Sequence, residues 1–591
     1  MDSVPTQSQT IVGGQAGYAV PLTVAVTGHR DLVSAELPAI RQRVRAFLSE
    51  LVAEYPDRGV TVMSALAEGA DQLVAEEALQ LGISLVVPLP MDKELYVRDF
   101  ENIKVRENFE FLFSRAAETY ELPVTPGNTL KSISEYGDAR DQQYAQLGVF
   151  LCAHCHILLA LWDGKENDRL GGTGQVVRFH HDDVMPGYTT ETSGSGLIIA
   201  DDESDLIYHI VCSRDREDGQ PEKSLQVGDY WWFSLDEDEP RSKTLPESHR
   251  SVFRYTSEFS RDAIMHADEI RDGSWPLLNS KDRATLPRGL GDIDHIFCAA
   301  DWLAIHFQKR MLFTLRATHL LALLMGLMYI AYSDMDPKHY FLYAFLGFFV
   351  FAAAIHRFAN HHSWHRKYLD YRTLAEGLRV QLYWAAGGVN SDKKSKYTHD
   401  TFLQTQDPDL GWIRNVMRVA GTECDATNYN DSAGLDFTLR EWLGDADSGQ
   451  LGYFRRKGNE HVQRFRRTER MAQLGFSVGF AAIALFVLTS AEMEGLLRDP
   501  IVILMGVMLL VVGVRQSYSF SVADAELIKQ FGFMFRIFSN ARRRIDATNS
   551  ADEKRRILRV LGEAALGEHA QWILMHRERS LEQGEIFRMS G

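Results

Sequence analysis

Apolar positions fall into two regimes along the chain. In the first, short apolar runs alternate with amphipathic stretches. LTVAVTG (22–28) is followed by Pro38 to Glu54, where Ile40, Val44, Phe47, Leu48 and Leu51 recur at helical spacing. VTVMSALAEGAD (60–71) and ISLVVPLP (83–90) read as strands on either side of the helix DQLVAEEALQLG, which Gly82 closes. Asp92 to Ala117 reads as one longer helical stretch, and Ala139 to Cys152 as a helix feeding the strand HILLALWDG (156–164). VGDYWWFSL (227–235) reads as a strand or hairpin that closes the domain, and from Ser251 the pattern is helical. Apolar strands alternating with helices predict an α/β fold with a Rossmann-like, doubly wound parallel sheet.

In the second regime four runs are almost free of charge: ATHLLALLMGLMYIAY from Ala317, YFLYAFLGFFVFAAAI from Tyr340, LGFSVGFAAIALFVLTSA from Leu474 and IVILMGVMLLVVGV from Ile501. Each approaches the ~20 residues that cross ~30 Å of hydrocarbon. They come as two hairpins, which favours membrane spans over buried core helices. Lys309, Arg310, Arg316, Arg357, Arg366 and Lys367 flank the first pair, and Arg464, Arg466, Arg467, Arg470 and Arg515 the second. The connectors SDMDPKH and EMEGLLRD are mainly acidic, so the positive-inside rule predicts them outside and both termini and the middle segment in the cytoplasm. Gly475, Gly479, Gly506 and Gly513 are expected to be close-packing positions between spans.

These patterns predict a lead-in at 1–20, a ligand-binding α/β domain at 21–250, a helical linker at 251–310 and a first transmembrane hairpin at 311–356. A cytoplasmic helical region (357–472), a second hairpin (473–515) and C-terminal cytoplasmic helices (516–591) complete an all-α membrane domain with four transmembrane helices. Composition narrows the partners. A formal charge of −17 argues against bulk nucleic-acid binding but leaves a small anion open. Five cysteines in 591 residues point to thiols in a reducing compartment. CAHCH (152–156) has metal-like spacing but lacks a second ligand pair, and His356, His361, His362 and His365 read as an interfacial polar face; no metal site is expected.

The loops at the strand ends hold the candidate chemistry: TGHR (27–30), SALAEGAD (64–71), PLPM (88–91) and WDGKENDRLGGTGQVV (162–177). Glycines ahead of a helix let backbone N–H groups approach phosphate, and the helix N-terminus adds positive potential. The last loop lacks the Lys-Ser/Thr ending of a P-loop and the spacing of the dinucleotide fingerprint, so neither an NTPase nor a hydride-transfer enzyme is indicated.

Together, VAVTGHRDL, SALAEGADQLVAEEAL and DG…GGTGQVV resemble the SLOG domain. This Rossmann-like nucleotide or nucleotide-sugar binding fold occurs in LONELY GUY phosphoribohydrolases, in DNA-processing protein A and in the sensing regions of bacterial conflict systems and melastatin-type channels. The resemblance covers roughly residues 20–215 and implies a nucleotide-derived ligand held by Gly28, His29, Arg30, Ser64, Glu68, Gly69, Asp71, Gly171, Gly172, Thr173 and Gly174, to which the last loop and the helix after it add Asp163 and Arg178 as ligand-binding candidates. The enzymes carry Gly-Gly-x-Gly-Thr-x-x-Glu; here Gly171, Gly172 and Gly174 match, while Gln175 and Arg178 replace the Thr and the catalytic Glu. An Arg can pair with phosphate but is no general base. Binding is therefore favoured over hydrolysis, and Glu68 or Asp71 keeps the enzyme alternative open.

Further along, DWLAIHFQKR, YRTLAEGLRVQLYW and WILMHRERSLE resemble the SLATT family of two-span membrane effectors associated with SLOG sensors, over roughly 290–590. The order of basic helix, span, acidic connector, span and long helix occurs twice. The two resemblances imply an effector of the bacterial inner membrane, acting in anti-phage defence, that senses a nucleotide-derived ligand and oligomerises into a pore or otherwise breaks the barrier. The alternative is a membrane-anchored nucleotide or nucleotide-sugar hydrolase. The implied partners are the ligand, the bilayer and further copies of the chain.

Overall fold

The structure is a computed structural model that describes residues 17–166, 169–189, 205–234, 241–335, 337–389, 402–403, 408–427, 432–489, 498–522 and 524–586. It divides into two units. The first comprises Met1–Trp302, Thr373–Leu435 and His569–Leu574, and the second Leu303–Arg372, Asp436–Glu568 and Met575–Gly591. The positions near Asn390 and most of the EMEGLLRD connector lie outside the described residues.

The first unit is built on strands β1 (Leu22–Gly28), β2 (Val60–Met63), β3 (Ser84–Leu89), β4 (Glu118–Glu121), β5 (Ile157–Trp162), β6 (Ile207–Val211), β7 (Tyr230–Phe233) and β8 (Arg241–Ser242). They form one sheet in the order β4-β3-β2-β1-β5-β6-β7-β8. The first six are parallel and the last two antiparallel. The helices that connect them are α1 (Leu37–Glu54), α2 (Ala70–Gln80), α3 (Ile103–Arg115), α4 (Asp138–Ala153) and α5 (Thr173–Asp182). Every residue of β2, β5 and β6 is buried, as expected of strands covered on both faces. Phe47 of α1 stacks on Tyr208 at 3.9 Å and meets Trp232 edge-on, placing α1 on one face. His181 of α5 meets Phe233 on the other. On that second face Leu147, Val149 and Leu151 of α4 and Val176 and Phe179 of α5 share a core with Ala25, Leu158, Ala160 and Ile207. The doubly wound parallel sheet expected from the sequence is present.

Three details differ from the sequence reading. The stretch expected as one helix over Asp92–Ala117 is broken: a short helix Lys93–Tyr96 and a tight turn Val97–Asp99 precede α3. Phe100 is extended there and Asn102 caps α3 through the Lys104 amide at 3.0 Å, so local capping overrides helical periodicity. β4 was missed because Glu-Thr-Tyr-Glu carries only the weak alternation of an edge strand. β6 was missed because His209 interrupts an otherwise apolar run.

Beyond the sheet, α6 (Glu247–Met265) belongs to the same unit. Helix α7 (Gly289–Ile330) is one element of 42 residues, about 63 Å long, and the unit boundary at Trp302/Leu303 falls inside it. Then come α8 (His339–His361), α9 (Trp364–Gly387), α10 (Gly411–Ala420), α11 (Gly449–Thr489), α12 (Arg498–Val522), α13 (Asp524–Asp546) and α14 (Ala551–Ile586). Within the described residues, the order of long helix, apolar helix and following helix occurs twice, as α7-α8-α9 and α11-α12-α13.

Four helices are long and apolar enough to cross a membrane, and their most apolar windows are only 0–11% buried inside the structure. A core helix with these windows would be covered by protein. Here Phe349, Phe351, Phe476, Phe480 and Leu488 are exposed, which is the expected condition of lipid-facing side chains. The close-packing expectation divides among the glycines. A Cβ on Gly475 would lie 2.9 Å from Val512 Cγ2 and one on Gly506 3.4 Å from Ile330 Cδ1. At Gly479 the nearest atom is an ordinary 3.8 Å away, and Gly513 faces open space. The tightest approach is one the sequence did not single out: a Cβ on Gly326 would sit 2.5 Å from both methyls of Leu510.

Gly326→Val should therefore overpack the α7–α12 contact at a cost of about 1–3 kcal/mol. The thermal midpoint of the full chain in detergent should fall, while Gly513→Val leaves it unchanged. Equal effects at the two positions would refute this packing.

Candidate functional site

β1 and β5 are neighbours that end within one residue of each other, Gly28 pairing with Leu161, the last but one residue of β5. Sequence continues from β1 to one face of the sheet and from β5 to the other. This is the switch point at which open α/β sheets leave a crevice. A cleft of about 780 Å³ lies there, lined by the loops after both strands, the start of α5 and one face of α4.

Backbone contacts fix the loop after β1. The His29 amide donates to Leu161 O at 3.1 Å, and the Ala70 amide at the start of α2 donates to His29 O at 3.1 Å. Gly69 has φ +85°, and a Cβ there would collide with the carbonyls of His29 and Arg30. Its role is to let α2 approach the β1 loop. Glu68 and Gly69 do not line the cleft, and Ser64 lies buried behind it, where its hydroxyl accepts from the Leu66 amide (3.2 Å) and donates to Asp71 O (3.3 Å).

The second wall begins at Asp163. His29 Nε2 lies 3.1 Å from the Asp163 amide and 3.2 Å from its Oδ1. A neutral Nε2 accepts from the amide, and a protonated one donates to the carboxylate. Burial opposes the Asp163 charge, but the His29 ring and the Lys165 amide hold this carboxyl below the usual range. Gly171 (φ +72°) lies close against α4, where a Cβ would come within 2.8 Å of the Ala145 nitrogen. Gly172 is the N-cap of α5 and provides no side-chain cap. Gly171, Gly172, Thr173 and Gly174 line the cleft, so the first turn of α5 presents its amides there. Arg178 lies further along α5, half-exposed, paired with Asp182 at 3.5 Å and away from the cleft.

The remaining wall was not anticipated. Arg140, Tyr144, Leu147, Gly148 and Leu151 of α4 follow helical spacing along the cleft. Asp99 accepts two bonds from Arg140, at 2.8 and 3.2 Å, and one from the Tyr144 hydroxyl. Arg140 also donates to Ile133 O and Leu95 O, which occupies its guanidinium. Arg214 is likewise engaged with Asp31 at 2.8 Å. Arg30, whose guanidinium lies over the Tyr144 ring 5.4 Å from the centroid, forms no ion pair among the described residues. The Tyr96 hydroxyl is fully buried at the cleft wall, without a hydrogen-bond partner among the described residues. The helical period of α4 was the available signal; Tyr96 and Asp99 were obscured by the helix expected across them.

Asp71 completes the site. Burial pushes its carboxyl up to about 7, against the opposing Ala67 amide, Arg30 and the Ser64 hydroxyl. The CAHCH histidines are engaged elsewhere in the same unit. His154 Nδ1 meets Arg418 O at 2.8 Å, and His156 accepts from the Thr23 amide at 2.9 Å and meets Asn415 O at 3.1 Å. Among the described residues, no group of three or more His, Cys, Asp or Glu is placed to hold a metal ion. No protein-family model matches the chain, and no curated protein matches it.

The folded state binds the Asp71 proton more tightly than the unfolded chain, so its contribution to stability is full below about pH 4 and is lost as pH rises through about 7. The loss is on the order of 4 kcal/mol. Asp71→Asn should remove it, so the thermal midpoint of the variant relative to the parent should rise between pH 4 and pH 8. Parallel pH profiles would place the Asp71 titration near its ordinary value.

Proposed function

We propose that the protein is a nucleotide-sensing membrane effector of the SLOG and SLATT kind. The observation that carries this reading is the switch-point cleft, lined by an uncapped helix start, an Arg30 guanidinium without an ion pair and a Tyr96 hydroxyl without a hydrogen-bond partner among the described residues. A buried hydroxyl left unbonded costs about 1–3 kcal/mol, which a ligand oxygen or nitrogen would offset. The amides of Thr173 and Gly174 suit phosphate, Arg30 supplies the matching charge, and Tyr144 and Trp162 provide apolar and aromatic surface for a base or sugar.

The output in this reading is a change in the bilayer barrier, with the four apolar helices in the bacterial inner membrane and both termini in the cytoplasm. Moving a two-state equilibrium from 1:99 to 99:1 takes about 5.5 kcal/mol of differential binding. That is more than one modest ligand supplies, which favours an oligomer with several linked sites, forming a pore in anti-phage defence. A second reading has its own supporting observation: Asp71, buried and titrating near 7, is suited to general acid or base chemistry. It makes the protein a membrane-anchored nucleotide or nucleotide-sugar hydrolase.

The test uses the full chain in liposomes and a panel of nucleotides, nucleotide sugars and cyclic oligonucleotides. A binding compound should raise the thermal midpoint and release entrapped ions. Gly172→Asp should abolish binding, since it sets a carboxylate where phosphate must meet backbone. Arg30→Ala should weaken it roughly ten- to hundredfold. Leakage without consumption of the compound supports the effector. Consumption without leakage, lost in Asp71→Asn, supports the hydrolase.

A further inference from the structure

The second unit contains another cavity, of about 430 Å³, between α11 and α12. Glu460, Gln463, Arg464, Arg467, Thr468 and Met471 line it from α11, and Arg515 lines it from α12. The α11 residues recur every three or four positions, so they share one face. That face lies just before the apolar run of α11, whose last charge is Arg470, and Arg515 directly follows the apolar run of α12. The cavity is therefore at the depth where hydrocarbon gives way to headgroups, if these helices span.

Its charge is unbalanced. Three arginines and one carboxylate line it, and that carboxylate, Glu460, is already bonded to Lys457 at 2.7 Å. Arg464, Arg467 and Arg515 form no ion pair among the described residues, and all three are solvent-accessible. Arg515 is held in place: its Nη2 donates to Thr468 Oγ1 at 2.9 Å, and its guanidinium lies 5.9 Å from the Tyr518 ring centroid. Three like charges gathered around a void repel one another unless an anion fills it. An Arg fork suits phosphate oxygens, and basic pockets between membrane helices suit anionic headgroups. Met471, at the hydrocarbon end, offers apolar surface to an acyl chain.

We infer that this cavity binds the phosphate of an anionic phospholipid, inserted between α11 and α12. The shared chemistry with a soluble phosphate is the Arg–phosphate contact; the lipid is favoured by the cavity's position at the end of two apolar helices. The inference is independent of the switch-point cleft.

The full chain is placed in nanodiscs of phosphatidylcholine, with and without a minor fraction of phosphatidylglycerol. Retained lipid is read by native mass spectrometry and the thermal midpoint is read alongside. Phosphatidylglycerol should be retained and should raise the midpoint. The double variant Arg467→Gln/Arg515→Gln should weaken retention roughly thirtyfold, while its unchanged midpoint in phosphatidylcholine alone shows that it folds. A matched variant, Arg466→Gln/Arg470→Gln, removes as much charge beside the same end of the apolar run of α11 but from outside the cavity, and should retain lipid as the parent does. Equal losses in the two variants would reduce the effect to general membrane electrostatics and overturn the site. Inorganic phosphate or pyrophosphate that displaces the lipid, or binds in its absence with comparable strength, would overturn the lipid as its occupant.

Discussion

Two parallel strands ending level, with their chains leaving for opposite faces of the sheet, impose the constraint on which the first unit depends. β1 and β5 must lie side by side for the sheet to be doubly wound, and the gap above their ends is then bounded by backbone rather than filled by it. Each feature of the cleft follows from that gap. The β1 loop is clipped to β5 through the His29 amide, α2 is drawn against it through Gly69, and α5 starts at the rim with its amides uncapped. Polar groups buried around such a gap must bond one another or wait for a ligand. Asp99, Arg140 and Tyr144 follow the first course, and among the described residues the Tyr96 hydroxyl is left for the second.

The second unit meets a different constraint. Its apolar helices bury little of themselves in protein, so the medium around them must accept apolar side chains while offering the backbone no hydrogen bonds. Helices satisfy their own backbone groups, and the remaining specificity lies in close packing at Gly326 and Gly475 and in the placement of Arg side chains where the apolar runs end.

The parts legible in the sequence were those governed by local pattern. The strands from β1 to β3, β5 and β7 and the four apolar helices all follow from periodicity and length. Among the candidate site residues, Gly28, His29, Arg30, Asp71, Asp163 and Gly171–Gly174 are brought together because they sit at the ends of strands, where topology alone gathers them. Ser64, Glu68, Gly69 and Arg178 belong to the same loops and helices but point or pack elsewhere, a matter of side-chain direction that spacing does not encode. Tyr96, Asp99, Arg140 and Tyr144 were illegible for the complementary reason. They come from a broken helix and from α4, and only the tertiary fold carries them to the strand ends.

The contacts of His154 and His156 bear on the order in which the protein is made. Both residues sit at the entrance to β5, the strand that forms half of the switch point, yet their partners Arg418 and Asn415 lie 264 and 259 residues further on, beyond the first apolar hairpin. Loops of that length close late, and the ribosome delivers the chain from its N-terminus. The sheet can assemble as it emerges, but its interior stays incomplete until the first two apolar helices and the segment after them have been synthesised. A chain that stalls before α10 would thus carry a sheet with unsealed histidines and an unpacked face, a state that protein quality control can distinguish from the finished molecule.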